Sequence, residues 1–189
     1  IPEEAKEDAV KKLTRTESPK LIVNNQRFHD FLVNGVPVEY RKSGRIKGDI
    51  VYLFDFKNPR NNEFVAVNQF TVIENNHNRR PDIVIFINGL PLAVIELKNP
   101  ADENATIWSA YNQLQTYKEE ISSLFNYNEI LIISDGTEAR AGTLTSEKEW
   151  FLPWKTIDGT EIAPKALPQL QVLLEGMFEK TRIIDMVRN

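Results

Sequence analysis

The pattern of hydrophobic and polar positions in the first third of the chain predicts two helices followed by strands. Good helix formers fill residues 3–13 after Pro2, a residue that suits the first turn of a helix. A second helix is predicted over residues 19–33, with Gly35 as its stop. Three segments rich in Val, Ile, Phe, Tyr and Thr then predict strands, and we expect them to be neighbours in one antiparallel sheet. They span residues 36–40, 49–56 and 64–74.

Two apolar runs in the middle of the chain predict a buried β-hairpin. They cover residues 83–87 and 92–97 and lie on either side of Asn88-Gly89. An Asn-Gly pair between apolar runs is a strong signal for a hairpin turn. Because the runs are almost continuously apolar rather than alternating, we expect both faces of these strands to be covered.

The pattern after this hairpin changes to helical spacing and then back to a strand. A helix is predicted from Ala105 to about Ser122, with Asn104 as its cap. Its apolar stripe consists of Ile107, Ala110, Tyr111, Leu114, Tyr117 and Ile121. A buried strand is predicted over residues 130–134, and a late helix is predicted to begin near Pro164. This order predicts a mixed α/β fold, with a central mixed sheet flanked by helices.

Composition narrows the class of protein. The 189 residues are 41% hydrophobic and 26% charged, which is typical of a globular protein, and their number predicts a single domain over residues 1–189. The absence of cysteine excludes disulfides, thiolate zinc sites and cysteine nucleophiles, and it suits a reducing cytoplasm. No apolar run approaches the roughly 18 residues of a membrane span, so we expect no membrane partner. Because the chain begins with Ile1 rather than Met, we expect a fragment of a longer protein.

Three charged side chains stand at one end of the predicted hairpin. Asp82 precedes the first strand, and Glu96 and Lys98 close the second, where their spacing of two places them on the same face. In an antiparallel hairpin, the residue numbers of any two facing residues add up to the same value, here called the index sum. A three-residue loop from Asn88 to Leu90 gives an even sum and places Asp82 opposite Glu96. A two-residue loop without a bulge would place Asp82 on the other face, and we predict the even register.

Two carboxylates that converge at a strand end can hold a hard divalent cation. Mg²⁺ favours few carboxylates together with water and phosphate oxygens. A bound metal polarises a scissile phosphate and lowers the pKa of an attacking water, while a nearby lysine can orient that water or neutralise developing charge. This chemistry is metal-assisted phosphodiester hydrolysis. The alternative is a structural ion pair between Glu96 and Lys98 at a sheet edge, and spacing alone leaves both interpretations open.

The order of these residues resembles a nuclease superfamily. Pro81-Asp82 followed by Glu96-Leu97-Lys98 is similar to the PD-(D/E)xK signature, and Gln113-x-x-x-Tyr117 is similar to the Q-x-x-x-Y motif of its RecB-like branch. A wider set of segments within residues 20–160 resembles the N-terminal endonuclease domain of type I restriction enzyme R subunits. These segments are residues 68–70, 77–82, 90–100 and 127–136.

The resemblance implies a restriction-endonuclease-like core that cleaves double-stranded DNA. It implies Mg²⁺ held by Asp82, Glu96 and the backbone carbonyl of Leu97, with Lys98 as the catalytic lysine. The family also has a glutamate on an upstream helix. Its candidates here are Glu3, Glu4 and Glu7, and none of them is assigned to the catalytic set.

The same resemblance implies a larger assembly in the cytoplasm of a bacterium or archaeon. The full-length subunit would carry ATP-driven translocase domains and would work with methylation and specificity subunits of a restriction-modification complex. Since this chain contains no G-x-x-x-x-G-K-[ST] loop, ATP is expected to bind only to domains outside it.

Four residues near the predicted site are candidate DNA contacts. Gln113 and Tyr117 are four apart and therefore neighbours on one helix face, where an amide and a phenol could bond a phosphate or a base. Tyr117 also fits the apolar stripe, so a core position is the alternative. Arg79 and Arg80 come just before Asp82 and could hold a DNA backbone.

Two further polar segments receive no role from the sequence. Residues 41–47 hold four cations and no acid in a predicted hairpin loop, which could bind phosphates but is more often simply solvated. The formal net charge of −4 argues against nucleic-acid binding by the whole surface, although a local basic patch is compatible with it. His77 lies in a polar loop and is interpreted as a surface residue.

Two alternatives to a restriction endonuclease stay open. One is a non-catalytic DNA-docking or assembly module on a nuclease fold, which would have no use for Asp82, Glu96 and Lys98. The other is a different nuclease of the same fold, such as a RecB-like exonuclease or a junction resolvase. A closed circular substrate separates an exonuclease from an endonuclease, because an exonuclease needs a DNA end.

Overall fold

The computed structural model describes residues 1–99 and 106–189. The helices are α1 (Glu3–Thr14), α2 (Leu21–Asn34), α3 (Ile107–Glu120), α4 (Ser122–Phe125), α5 (Gln169–Met177) and α6 (Lys180–Arg188). The strands are β1 (Val36–Lys42), β2 (Arg45–Val51), β3 (Phe64–Asn68), β4 (Val72–Glu74), β5 (His77–Arg79), β6 (Ile83–Ile87), β7 (Leu90–Leu97), β8 (Ile130–Ser134) and β9 (Ala139–Gly142). The central sheet has the order β3-β6-β7-β8-β9, in which β7 and β8 are parallel and the other neighbours antiparallel. The predicted mixed α/β class is confirmed.

The first two helices form where the sequence predicts them. α1 buries two alanines against the hairpin of β1 and β2, and α2 buries Phe28 and Leu32 in the main core. α2 ends because Gly35 adopts φ +80°, a left-handed conformation that favours glycine. A Cβ atom at this position would lie 2.4 Å from Cγ2 of Ile50. The predicted stop residue is therefore required both by its backbone conformation and by the space around it.

Of the three strands predicted to be neighbours in one antiparallel sheet, the first two do pair, but the third does not join them, so the prediction of a single sheet is wrong. β1 and β2 form a separate two-stranded sheet, β3 joins the central sheet, and β4 pairs with β5. β2 ends at Val51, and the chain then turns at Asp55, whose side chain accepts hydrogen bonds from the N–H groups of Lys57 and Asn58. The predicted strand over residues 64–74 is interrupted at Gln69, which adopts φ +53°.

The hairpin of β6 and β7 has the predicted register near the candidate site but a different turn. Asn88 and Gly89 form a two-residue turn with positive φ at both positions, so the predicted three-residue loop is wrong. A β-bulge then adds Leu92 to β7 and restores the even index sum from the pair Ile85–Ala93 onward. The bulge therefore places Asp82 opposite Glu96, which is the result predicted for a three-residue loop.

Apolar side chains cover both faces of the central sheet, as predicted for the hairpin strands. On one face, Ile95 and Ile132 pack with residues of α2, α5 and α6. On the other face, Val94 and Leu131 pack with residues of α3 and α4. Because β7 and β8 are covered on both sides, a charged residue within them requires a specific partner or a function.

The later helices differ from the prediction at their starts. α3 begins at Ile107, and the predicted cap and first residue at 104–105 lie outside the described residues. α5 begins at Gln169 rather than near Pro164, because Pro168 disfavours a helical conformation in the residue before it. The sequence patterns predicted neither β9 nor α6. No helix in the described ranges is long and apolar enough to span a membrane.

Candidate active site

The hairpin brings Asp82 and Glu96 to facing positions at one end of the central sheet. Its last pair is Ile83–Ile95, so Asp82 and Glu96 stand opposite each other one residue beyond that pair. Side chains two residues apart share a face, and Glu96 therefore lies on the side of Val94, which α3 covers. The even register predicted from the sequence is confirmed.

Three hydrogen bonds hold Asp82 in place. Its Oδ2 accepts from the Leu97 N–H at 2.8 Å, which ties the residue to β7. Its Oδ1 accepts from Nε2 of Gln69 at 2.8 Å, and the Gln69 N–H donates to the Asp82 carbonyl at 2.9 Å. A carboxylate oxygen has two lone pairs, so each oxygen of Asp82 is oriented by one bond and can still accept another partner.

Gln69 is a residue of this site that the sequence does not identify. The hydrophobic pattern places it inside a predicted strand, whereas its φ of +53° is left-handed, which is uncommon for a residue with a Cβ atom. Such a conformation persists where several surrounding contacts fix it, and here the side chain and the N–H both bond to Asp82. The segment 68–70 belongs to the wider family resemblance, but that resemblance gives Gln69 no role.

Glu96 is a buried carboxylate with one paired and one unpaired oxygen. The residue is 4% exposed, and its Oε1 accepts a hydrogen bond from Nζ of Lys98 at 3.0 Å. Its Oε2 is buried and has no hydrogen-bond partner in the described part of the chain. Burial raises the pKa of Glu96 and the negative charge of Asp82 adds to this effect, while the Lys98 ammonium opposes it.

A polar cluster is completed by Leu97 and Lys98, the two residues that follow Glu96. The Lys98 side chain is 23% exposed, so its ammonium lies between the buried carboxylate and solvent. The Lys98 N–H donates to the carbonyl of Ser134 at 2.8 Å, which continues the parallel pairing of β7 with β8. The N–H and C=O of one strand residue point to the same side, so the Leu97 carbonyl faces the Asp82 side, as its N–H does.

This cluster fits a divalent cation that uses few protein ligands. In the part of the chain that the structure describes, no group of three or more His, Asp or Glu side chains could hold a metal ion. The donors here are two carboxylates and one backbone carbonyl, all hard oxygens, and Mg²⁺ commonly uses one or two carboxylates and keeps several waters. The unpaired Oε2 of Glu96 favours a cation at this point, because a buried carboxylate oxygen without a donor costs free energy.

The two residues of α3 that are predicted to contact DNA, Gln113 and Tyr117, lie in different environments. Tyr117 is buried, and its hydroxyl donates to the carbonyl of Arg80 at 3.4 Å. Burial raises the pKa of Tyr117, and the negative charges of Glu96 and Asp82 raise it further, so the phenol stays protonated beside the carboxylates. Gln113 is half-buried, and its side chain forms no hydrogen bond with any described residue.

The two arginines before Asp82 differ in the number of protein groups that their guanidinium groups bind. Arg79 forms a two-point ion pair with Glu120 of α3, and His77 lies 3.3 Å from the same carboxylate. Arg80 is exposed, and its Nε donates to Oγ1 of Thr71 at 3.1 Å. The rest of the Arg80 guanidinium has no protein partner within residues 1–99 and 106–189, so Arg80 is the more available cation.

The glutamates of α1 lie away from this cluster. α1 packs against β1 and β2, and Glu3, Glu4 and Glu7 are all exposed to solvent. Glu3 pairs with Lys6 of the same helix at 2.9 Å. The structure brings none of these three residues to the carboxylates of the central sheet.

Comparison with known proteins assigns the chain to a family. The sequence pattern of the family described as "Type I restriction enzyme R protein N terminus" matches residues 2–150. The chain is 44% identical to the type I restriction enzyme HindI endonuclease subunit of Haemophilus influenzae, over all of this chain and 18% of that protein.

Two further relatives extend this match. The putative type I restriction enzyme MjaIXP endonuclease subunit of Methanocaldococcus jannaschii is 35% identical over 95% of this chain and 19% of that protein. The type I restriction enzyme EcoprrI endonuclease subunit of Escherichia coli is 31% identical over 88% of this chain and 50% of that protein. The chain thus spans about a fifth of the first two relatives, and it belongs to the family of type I restriction enzyme R proteins, of which it covers the N-terminal region.

Proposed function

We propose that this chain is the endonuclease domain of a type I restriction enzyme and hydrolyses phosphodiester bonds of double-stranded DNA with the aid of Mg²⁺. The observation that supports this most strongly is the unpaired, buried Oε2 of Glu96 opposite the oriented carboxylate of Asp82. A structural ion pair between Glu96 and Lys98 explains only one of the two Glu96 oxygens. The proposed metal site uses both carboxylates and explains why two acids stand face to face in a buried hairpin.

In this proposal Asp82, Glu96 and the Leu97 carbonyl hold the cation. When bound, Mg²⁺ would polarise the scissile phosphate and lower the pKa of the attacking water. The Asp82 oxygens are already oriented by Gln69 and Leu97, so little ordering remains when a ligand arrives. Gln69 is therefore a positioning residue, because it acts through Asp82.

Lys98 is the proposed catalytic lysine. Its ammonium lies 3.0 Å from Oε1 of Glu96 and reaches toward solvent, where a scissile phosphate would approach. From this position it can donate a hydrogen bond to the attacking water or to a phosphate oxygen that gains charge in the transition state.

The proposed DNA contacts are Gln113, Tyr117, Arg79 and Arg80. The half-buried amide of Gln113 has no described partner and lies one helical turn from Tyr117, so it can accept or donate a bond to DNA. Arg80 can bind a phosphate directly, whereas Arg79 would first have to exchange Glu120 for a phosphate. Tyr117 would act mainly by holding the segment before Asp82 in place through the Arg80 carbonyl.

Residues 1–189 are proposed to form one nuclease domain of a longer subunit. The short coverage of the first relatives supports further domains, for which we propose an ATP-driven translocase. The proposed partners of the complete subunit are methylation and specificity subunits, which would choose the DNA site in the cytoplasm of the cell. ATP would then bind outside this chain, while Mg²⁺ would bind within it.

The test is cleavage of closed circular duplex DNA with Mg²⁺ by the complete subunit, assembled with its methylation and specificity subunits. Asp82→Asn and Lys98→Ala are expected to lower the cleavage rate by at least about a hundredfold while ATP hydrolysis is retained. Asp30→Asn and Lys57→Ala, at exposed positions without side-chain partners among the described residues, are the matched controls.

Each alternative predicts a different result in this assay. A DNA-docking module would leave cleavage unchanged in Asp82→Asn and Lys98→Ala, which contradicts the proposal. An exonuclease would leave the wild-type enzyme inactive on the closed circle but active on a linear duplex. Loss of ATP hydrolysis in the site variants would indicate a folding defect, and circular dichroism of the isolated chain would detect it.

A further inference from the structure

The hairpin of β1 and β2 ends in a cluster of positive charge that the proposed active site does not use. We define the basic tip as residues 41–47, which contain Arg41, Lys42, Arg45 and Lys47 and no acidic residue. Every residue of the basic tip is exposed to solvent. The cluster stands out because the chain as a whole has a formal net charge of −4.

None of the four cations has a partner within the described residues. No hydrogen bond, ion pair or cation–π contact joins their side chains to any residue in 1–99 or 106–189. Two acids of the neighbouring helix α1 pair within that helix, since Glu3 binds Lys6 and Asp8 binds Lys12. Four unpaired cations within seven residues therefore leave a local positive potential at the end of the hairpin.

The register of the hairpin places three of the four cations on one face. Lys42 stands directly opposite Arg45, and Tyr40 stands opposite Lys47, so Lys42, Arg45 and Lys47 share a face. Arg41 pairs with Ile46 and points to the other face. Like charges directly opposite on a strand pair destabilise the pair, so this arrangement lowers stability unless an anion binds there.

The backbone of the basic tip is short and well defined. Ser43 and Gly44 form a two-residue turn with φ +52° and +76°, the conformation that suits the twist of a hairpin. β1 anchors the hairpin by burying Val36, Val38 and Tyr40 against α1, while its outer part is free of the core. A two-stranded ribbon of this kind has the width to lie along or within the major groove of a duplex.

We propose that the basic tip is a second DNA-binding surface of the chain, at which Lys42, Arg45 and Lys47 bind the phosphate backbone of duplex DNA without reading its sequence. The choice of DNA over another polyanion rests on the proposed nuclease function. Three unpaired cations on one face of the ribbon can bind several phosphates at once, and bound phosphates would offset the repulsion between Lys42 and Arg45. This surface is separate from the cluster of Asp82, Glu96 and Lys98, because β1 and β2 form their own sheet.

The test is duplex binding by the 189-residue chain in EDTA, measured by fluorescence anisotropy as a function of salt. The triple variant Lys42→Gln/Arg45→Gln/Lys47→Gln is compared with Lys57→Gln/Lys155→Gln/Lys165→Gln, which removes the same charge at exposed positions elsewhere. The tip variant is expected to bind at least about tenfold more weakly at low salt, and its log–log salt slope should fall by about one for each cation removed, or about three in total. The control variant should show a far smaller loss of affinity and a far smaller change in salt slope. Arg41→Gln should weaken binding less than Lys42→Gln does.

Three outcomes overturn the proposal. Equal affinity and slope in the tip and control variants would show that the cations do not contact the duplex, and an acidic protein surface would then be the better ligand. No duplex binding by the wild-type chain at low salt would exclude the surface altogether. A lower unfolding temperature in the tip variant would attribute its effect to folding, whereas loss of the Lys42–Arg45 repulsion predicts an unchanged or higher one. Because EDTA removes metal chemistry, a failure of the nuclease proposal would appear only in the cleavage assay.

Discussion

At the scale of single residues, the site combines a stable scaffold with a buried carboxylate that the scaffold does not fully satisfy. Glu96 lies in a strand covered on both faces, and one of its oxygens has no described partner. Leaving such a group unpaired costs about 1–3 kcal/mol, and more when the group is charged. A nuclease gains from this arrangement because the same oxygen is ready to bind a cation.

The first prediction concerns the pH dependence of stability in Glu96→Gln. Burial raises the pKa of Glu96 above its usual 4.5, so the folded chain binds this proton more tightly than the unfolded chain does. The stability that protonation contributes is therefore fully present below about pH 4.5 and is lost as the pH rises through the raised pKa. Measured by urea unfolding, the wild type should lose free energy of unfolding relative to Glu96→Gln between pH 4.5 and neutrality.

The control for this prediction is Glu161→Gln, which changes an exposed glutamate. Its free energy of unfolding should follow that of the wild type across the same pH range. A constant difference between the wild type and Glu96→Gln from pH 4.5 to 7 would contradict the account of a buried carboxylate that resists ionisation.

The second prediction concerns Gln69→Gly. Glycine adopts the left-handed conformation of this position without a Cβ penalty and keeps the backbone bond to Asp82, so the free energy of unfolding should change by no more than about 1 kcal/mol. The side-chain bond to Oδ1 of Asp82 is lost, and Mn²⁺ affinity should fall by about tenfold or more, as is typical when a residue that orients a metal ligand is removed. Isothermal calorimetry with unchanged Mn²⁺ affinity would exclude a positioning role for Gln69.

The charged residues of the candidate site could be predicted from the sequence, but Gln69, which orients Asp82, could not. Asp82, Glu96 and Lys98 stand out because charges are rare in apolar strands, and their parity in the hairpin is a local property. Gln69 could not be identified, because its bond to Asp82 spans thirteen positions and depends on the break between β3 and β4. The hydrophobic pattern shows neither this long-range hydrogen bond nor the break between β3 and β4.

At the scale of elements, the β6–β7 hairpin shows how an expected register can arise by another route. The sequence predicts a longer loop, whereas the hairpin uses a tight Asn88-Gly89 turn and a bulge at Leu92. The preceding residue, Pro91, has no N–H to donate to a ladder, which favours an irregular pairing here. The hydrophobic pattern predicted both strands. It could not distinguish a three-residue loop from a two-residue turn with a bulge, because each adds one residue to the hairpin.

Helices and buried strands were predictable because their signals are local. The spacing of apolar residues on α3 and the stop at Gly35 both agree with the structure. The pairing of β1 with β2 could be predicted because it is local, whereas the pairing of β3 with β6 could not, since it depends on contacts between distant segments. The short strand β9, with the sequence Ala-Arg-Ala-Gly, has no alternating apolar pattern and gave no signal.

The third prediction tests the junction of α2 and β1. Gly35→Ala should lower the free energy of unfolding by about 2–3 kcal/mol, because it adds a left-handed strain and a clash with Ile50 at 2.4 Å. Gly44→Ala is the matched control, since Gly44 also has a positive φ but open space around it, and about 1 kcal/mol is expected. Equal losses in urea unfolding would show that the clash with Ile50 is relieved without cost.

At the scale of the whole molecule, the chain places its polar groups at two separate places on the fold. The carboxylates and Lys98 lie at the end of the β6–β7 hairpin in the central sheet, and the basic tip lies on a separate two-stranded sheet. The chain spans only about a fifth of its first two relatives, so the ATP-driven translocase that we propose would lie in parts of the full-length protein outside it. We propose that this region alone supplies the metal site.

The most direct test of that claim is the binding of Mn²⁺, a detectable substitute for Mg²⁺, by titration calorimetry with a short non-cleavable duplex present. We expect the wild-type chain to bind Mn²⁺, Asp82→Ala to abolish this binding and Lys98→Ala to retain it, because of the two substituted residues only Asp82 is a proposed metal ligand. If all three proteins bind Mn²⁺ equally, or none binds it, the charged cluster is structural and the nuclease account is contradicted.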